Sequence, residues 1–343
     1  MTQFTTPVSL ADSAPHDSRA SDVAVSVSRN AVIDTLKFVA IALVVLSHVL
    51  RLRGEFVHLS PELVRVMVSF NMPLFAFLSG WVLAGREGSH PLRFLEGKVL
   101  GLLVPYLAWI AVEMPLRKVP VSGYLLRLWH ALQNPLFGMQ MWFLWALFWM
   151  FVVFTVGHLV SASDWWTAAL AVAVACVALV IPAGAKGLNR VSWLYPYLVS
   201  GYLLSRRRTR LRHLDAPATV VAVAAFVVLT MLDRQTLLFR FVTGLAGVVA
   251  ACGIVRFAPV RLLRVPAYLG KRSLGIYGSQ MVVLPFLIVG GGWTGAMASW
   301  AIVLAASIAL SLVLDRLGPG RAIILGQWRR SKPRGGGRAP SGS

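Results

Sequence analysis

Between residues 31 and 314 the chain is a succession of apolar runs separated by short polar stretches, and this repetition limits what it can become. A helix needs about 20 largely apolar residues to cross roughly 30 Å of hydrocarbon. With 57% hydrophobic and only 13% charged residues, the chain reads as an all-α integral membrane protein. Ten transmembrane helices are expected, near 31–50, 63–85, 99–116, 141–160, 165–182, 190–205, 217–232, 238–255, 274–290 and 293–314. The sixth and ninth are short and rich in Pro or Gly. An even number of spans places both termini on the same side.

Cations decide which side that is. Of the 33 Lys and Arg residues, 22 fall in the two termini and the 86–98, 205–213 and 256–272 loops, 10 lie on the opposite side, and Lys37 sits within the first span. The positive-inside rule therefore puts both N- and C-termini in the cytoplasm. The net charge of +20 is then mainly topological and gives no reason to invoke a nucleic-acid partner. Arg206, Arg207, Arg208, Arg210 and Arg212 suit anchoring to anionic membrane lipid. Abundant Ala, Val and Arg fit a multi-pass protein of a bacterial-type inner (plasma) membrane from a GC-rich genome.

Residues 1–28 alternate Ser, Thr, Asp and Ala without a signal-like apolar core and are expected to form a disordered cytoplasmic tail. Residues 29–316 form the membrane domain. Residues 317–343 form a basic cytoplasmic tail, mostly disordered, in which Gly and like charges discourage folding. Cys176 and Cys252 fall in apolar spans without metal-ligand or pairing spacing, so no metal site is expected.

The first span carries three ionisable residues, Asp34, Lys37 and His48. At 100° per residue His48 returns to within about 20° of Lys37 and about 40° of Asp34, so all three share one helix face. A rise of 1.5 Å per residue separates Lys37 from His48 by about 16 Å, so the two serve different depths. Charge near a bilayer centre costs about 2.5–3.5 kcal/mol or more, which favours a stripe facing a protein-lined cavity. Snorkelling by Lys37 and ordinary packing of His48 is the other reading.

Four more stretches stand out. Phe70–Trp81 contains Asn71, Pro73 and the Ser79–Gly80 pair, features that free backbone groups and permit close helix approach. Arg86, Arg93 and Lys98 precede Pro105–Tyr106, a pattern suited to an anionic ligand and equally to positive-inside charge. Met141–Trp145 opens the fourth span with aromatics, including Trp142, either as an interfacial belt or as a ligand wall. Gly270–Tyr277 enters the ninth span, with Ser273 as its N-cap.

Taken in order, these stretches resemble the acyltransferase-3 family of integral membrane O-acyltransferases, near its fucose 4-O-acetylase-like branch. The resemblance rests on Arg29, Asp34, Lys37 and His48; on Pro73–Phe75 with Ser79–Gly80; on Lys98 with Pro105–Tyr106; on Trp142–Leu144; and on Ser273–Tyr277. Asn71 and Gln280 stand where this branch often has His, and Gly101 stands where a second cation usually follows Lys98.

The resemblance implies transfer of an acyl group, commonly acetyl, from acyl-CoA to a hydroxyl of a sugar, glycan, glycolipid or related acceptor. It implies His48 as general base, with an acyl-imidazole relay as the variant. Lys37, supported by Asp34, would draw in the donor, and Arg29, Arg86, Arg93 and Lys98 would meet its phosphates. Asn71, Ser79, Trp142, Tyr277 and Gln280 would line the pocket. A glycan or lipid transporter or flippase, or an inactive family member, is the alternative, since buried charge and broken helices also mark transporters.

Overall fold

The computed structural model describes residues 16–52, 61–86, 90–116, 118–133, 141–181, 186–207, 215–232, 236–318 and 320–328. Of the two expected tails, only the backbone of residues 16–28 and the stretch up to residue 328 fall among these. All regular structure in the described residues is helical. The helices are α1 (His16–Leu52), α2 (Pro61–Leu83), α3 (Pro91–Lys98), α4 (Val104–Leu116), α5 (Tyr124–Gln133), α6 (Trp142–Val160) and α7 (Asp164–Val180). Then come α8 (Lys186–Arg206), α9 (Ala216–Leu232), α10 (Leu237–Phe257), α11 (Val260–Gly270), α12 (Ser273–Val283), α13 (Gly292–Leu314) and α14 (Gly320–Leu325).

Five stretches are long and apolar enough to cross a membrane: Ala31–Leu52, Pro91–Leu116, Trp142–Val160, Leu238–Phe257 and Gly292–Leu314. Ser69–Leu83, Asp164–Val180 and Ala216–Leu232 are shorter apolar helices. The expected third span is longer than its apolar run suggests, because α3 continues through a π turn at Val99–Leu103 into α4. The wide turn leaves the Leu100 carbonyl open to an outside donor, and Trp328 Nε1 donates to it at 2.9 Å.

The core is made where α1, α2, α6, α8 and α12 meet, with Tyr106, Tyr195, Tyr197 and Tyr202 among its fully buried side chains. The expected close approach at Ser79–Gly80 is realised against α8. A Cβ on Gly80 would overlap the Leu198 carbonyl, and one on Gly201 would overlap that of Phe77. The two backbones touch at both glycines, so no larger residue fits either position without parting the helices.

The 256–272 stretch, read from its cations as a loop, folds in part as the amphipathic helix α11. Leu263, Ala267 and Gly270 are buried while Arg261 and Arg264 remain outside. It lies along α1, where Thr35 donates to the Leu263 carbonyl at 3.4 Å and Gly270 abuts the Asp34 backbone. Helix α5 is also amphipathic. It holds Ala131 in the core, where the Ala131 carbonyl accepts from Tyr106 at 2.9 Å, and exposes Leu125, Leu126 and Trp129.

Candidate functional site

His48 is buried on α1, three helical turns beyond Lys37, and its Nδ1 has no hydrogen-bond partner among the described residues. The ring faces α12, whose Gln280 side chain interacts with it. Gln280 is fully enclosed, and neither its Nε2 nor its Oε1 makes a hydrogen bond of regular geometry. The Oγ of the neighbouring Ser279 is likewise buried and unpartnered. Enclosed polar atoms without partners cost about 1–3 kcal/mol each. His48 Nδ1 and the Gln280 amide adjoin one another, so a polar ligand here would meet open donors and acceptors.

Aromatic residues build the adjoining wall. Tyr277, one turn before Gln280 on α12, bonds to the Phe143 main chain on α6. Phe143 packs edge-on to Trp142, ring centres 5.9 Å apart, and lies 5.7 Å from Phe75 of α2. The Trp142 face is covered by the Arg190 guanidinium of α8, 4.0 Å from the ring centre. Arg190 is also near enough to Tyr277 and Arg51 to interact electrostatically with both, and Arg51 acts in turn on His48. Helices α1, α6, α8 and α12 thus each supply a polar or aromatic group to one cluster.

Of the residues expected at the site, His48, Trp142, Tyr277 and Gln280 belong to this cluster. Asp34 and Lys37 form a separate ion pair at 3.0 Å near α11. Lys98 lies over the Phe151 and Phe94 rings at 3.7 and 4.9 Å, and Arg93 is exposed on α3. Ser79 donates to the Phe75 carbonyl at 2.8 Å, while buried Asn71 accepts from the Met72 amide at 2.7 Å. The side chains of Arg29 and Arg86 lie outside the described residues.

The sequence reading overlooked Arg190, which it placed at the margin of the sixth span and treated as a loop cation. A signal was present: Arg190 and Arg51 fall in stretches expected on the side with fewer cations. Among the described residues no three His, Cys, Asp or Glu side chains come together, so ligand chemistry here rests on imidazole, guanidinium, amide and hydroxyl groups.

The apolar helices of the described residues mark a multi-pass membrane protein, and a buried imidazole lies among them. Residues 30–316 match the model of the acyltransferase domain of the acyltransferase-3 family, and the chain belongs to that family and is an acyl-group transferase. It is also 26% identical over 355 aligned positions to the nodulation protein NolL of Sinorhizobium fredii (strain NBRC 101917 / NGR234), covering 89% of this chain and 94% of that protein. No solved structure matches it.

Proposed function

We propose that this chain is a ten-span inner-membrane O-acyltransferase with cytoplasmic termini. It moves an acyl group, acetyl in the first instance, from acyl-CoA to a hydroxyl of a sugar, glycan, glycolipid or related acceptor, with His48 as general base. The single observation that carries this reading is the buried His48 imidazole, whose Nδ1 lacks a protein partner, in a member of an acyltransferase family.

Neutral imidazole removes the acceptor hydroxyl's proton as that oxygen attacks the thioester carbonyl carbon. The C–O bond forms, the C–S bond breaks, and the imidazolium returns its proton to the departing thiolate. Ester and coenzyme A thiol are the products, and no proton is gained or lost. Gln280, beside the ring, holds the imidazole in orientation. The Trp142, Phe143 and Phe75 surface excludes water, which limits hydrolysis of the thioester. Lys37, paired with Asp34, receives the donor's phosphates or pantetheine amides from the cytoplasmic end, with Lys98, Arg93, Arg86 and Arg29 as further phosphate contacts. Asn71 and Ser79 complete the pocket lining.

The test is acyl transfer in membrane vesicles carrying wild type or His48→Ala at matched levels, supplied with labelled acetyl-CoA and the host's glycans and lipids. Label entering a glycan or lipid fraction with wild type alone is expected. Equal labelling by both proteins would remove His48 from the mechanism, and no labelling with several acyl-CoAs would favour transport or an inactive chain.

A further inference from the structure

Arg190 is difficult to explain as structure alone. It lies near the start of α8 with its Nη1 fully enclosed and without a hydrogen-bond partner among the described residues. Its guanidinium lies over the Trp142 ring, which attracts the cation without using its N–H donors. The described ion pairs engage Lys37, Arg206, Arg207 and Arg272, and none involves Arg190. Tyr277 and, more weakly, a second cation, Arg51, act on it electrostatically, and Arg51 is exposed at the end of α1. An enclosed guanidinium nitrogen without a partner, with a second cation acting on it, favours an anion as its ligand.

Both arginines border the His48 cluster. Arg51 lies one turn beyond His48 on the same helix, and Arg190 reaches Tyr277, one turn from Gln280. A group held by this pair therefore sits beside the imidazole, on the side away from Lys37 and the proposed donor route. A guanidinium offers five donors in a planar fork that fits carboxylate and phosphate oxygens in pairs. Trp142 beneath it backs the guanidinium and leaves its N–H edge for a ligand.

We infer that Arg190 and Arg51 form an anion-binding subsite that holds a fixed carboxylate or phosphate on the acceptor, so that the acceptor is an acidic saccharide and not a neutral one. This deepens the acyltransferase reading and rests on it for the word acceptor; the anion site itself does not require transfer. Exposed Arg51 meets the anion first, and Arg190 then holds it with one hydroxyl facing His48.

The full-length protein in detergent, titrated calorimetrically with glucuronate, glucose 1-phosphate and glucose, provides the test. Wild type and His48→Ala should both bind at least one of the two anionic sugars about tenfold or more tightly than glucose, the scale expected of charge-assisted hydrogen bonds. The preferred anion identifies the acceptor group as carboxylate or phosphate. Arg190→Gln should abolish the discrimination and Arg190→Lys should keep part of it. If Arg190→Gln does not fold, Arg51→Gln, at an exposed position, should reduce the discrimination by a smaller factor. Equal affinity for glucose and the anions, no binding of either anion, or unchanged discrimination in the arginine variants would overturn the inference. If wild type discriminates but transfers no acyl group, the enzyme reading fails while the anion site stands.

Discussion

The Trp109 indole N–H donates to the Ile324 carbonyl at 3.1 Å, joining α4 to the C-terminal helix α14 across 215 residues of sequence. The same ring fills the space above Gly278 on α12, where a Cβ would collide with it. Trp109→Phe should lose about 1 kcal/mol from the hydrogen bond alone, with a further loss from altered packing. A lowered unfolding temperature in detergent would report it, and an unchanged one would show that the last helix contributes nothing to stability.

At the α2–α8 crossing, a methyl group has nowhere to go. Gly80→Ala should cost about 1–3 kcal/mol, the usual penalty of overpacking, because its Cβ meets the Leu198 main chain and not a flexible side-chain end. Gly101→Ala is the control: its Cβ would meet nothing within 4 Å, so stability should hold or rise slightly. Parallel thermal unfolding of the two variants separates steric conflict from a general intolerance of glycine replacement.

Gln280→Leu keeps the volume beside His48 and removes the polar contact. Acyl transfer is expected to fall about tenfold or more in kcat with little change in KM for the acyl donor, because an imidazole without its orienting neighbour is a poorer base. A change confined to KM would make Gln280 a binding residue and not a positioning one.

The Asp34–Lys37 pair is only partly buried, with side-chain exposures of 12% and 27%, so breaking it should disturb folding little. Lys37→Ala should raise the acyl-CoA KM several-fold and leave the unfolding temperature nearly unchanged. Unaltered donor affinity would move the donor's entry elsewhere.

The proposed ten-span topology would place the α6–α7 turn and the segment before α5 on opposite faces of the membrane. With Cys176 and Cys252 replaced by Ala, single cysteines at Val121 and Ala162, both exposed, should react differently with an impermeant maleimide added outside spheroplasts. Labelling is expected at position 121 and not at 162. Labelling of both or the reverse pattern would refute the expected orientation.

The all-helical, multi-pass character was legible because hydropathy reports the membrane directly, and five described stretches are long and apolar enough to cross it. His48, Trp142, Tyr277 and Gln280 were legible as well, each in a short motif at fixed order along the chain. Arg190 was not, because a cation at a span boundary looks like a loop residue until its indole partner from another helix is known. Helix α11 was hidden for a related reason: Arg261, Arg264, Lys271 and Arg272 suggest a polar loop, while the buried side at Leu263, Ala267 and Gly270 is short and includes a glycine. The single stripe read from Asp34, Lys37 and His48 divides by depth into an ion pair beside α11 and an imidazole among α6, α8 and α12 partners, as the helix rise requires.

The backbone contact at Gly80 and Gly201 has a mechanical consequence. Helices whose main chains touch cannot slide past one another without breaking that fit, so α2 and α8 move as one rigid plate. Arg190 rides on that plate with Phe75, whereas His48, Trp142 and Gln280 are carried by α1, α6 and α12. Any opening between that plate and these helices separates Arg190 from Trp142.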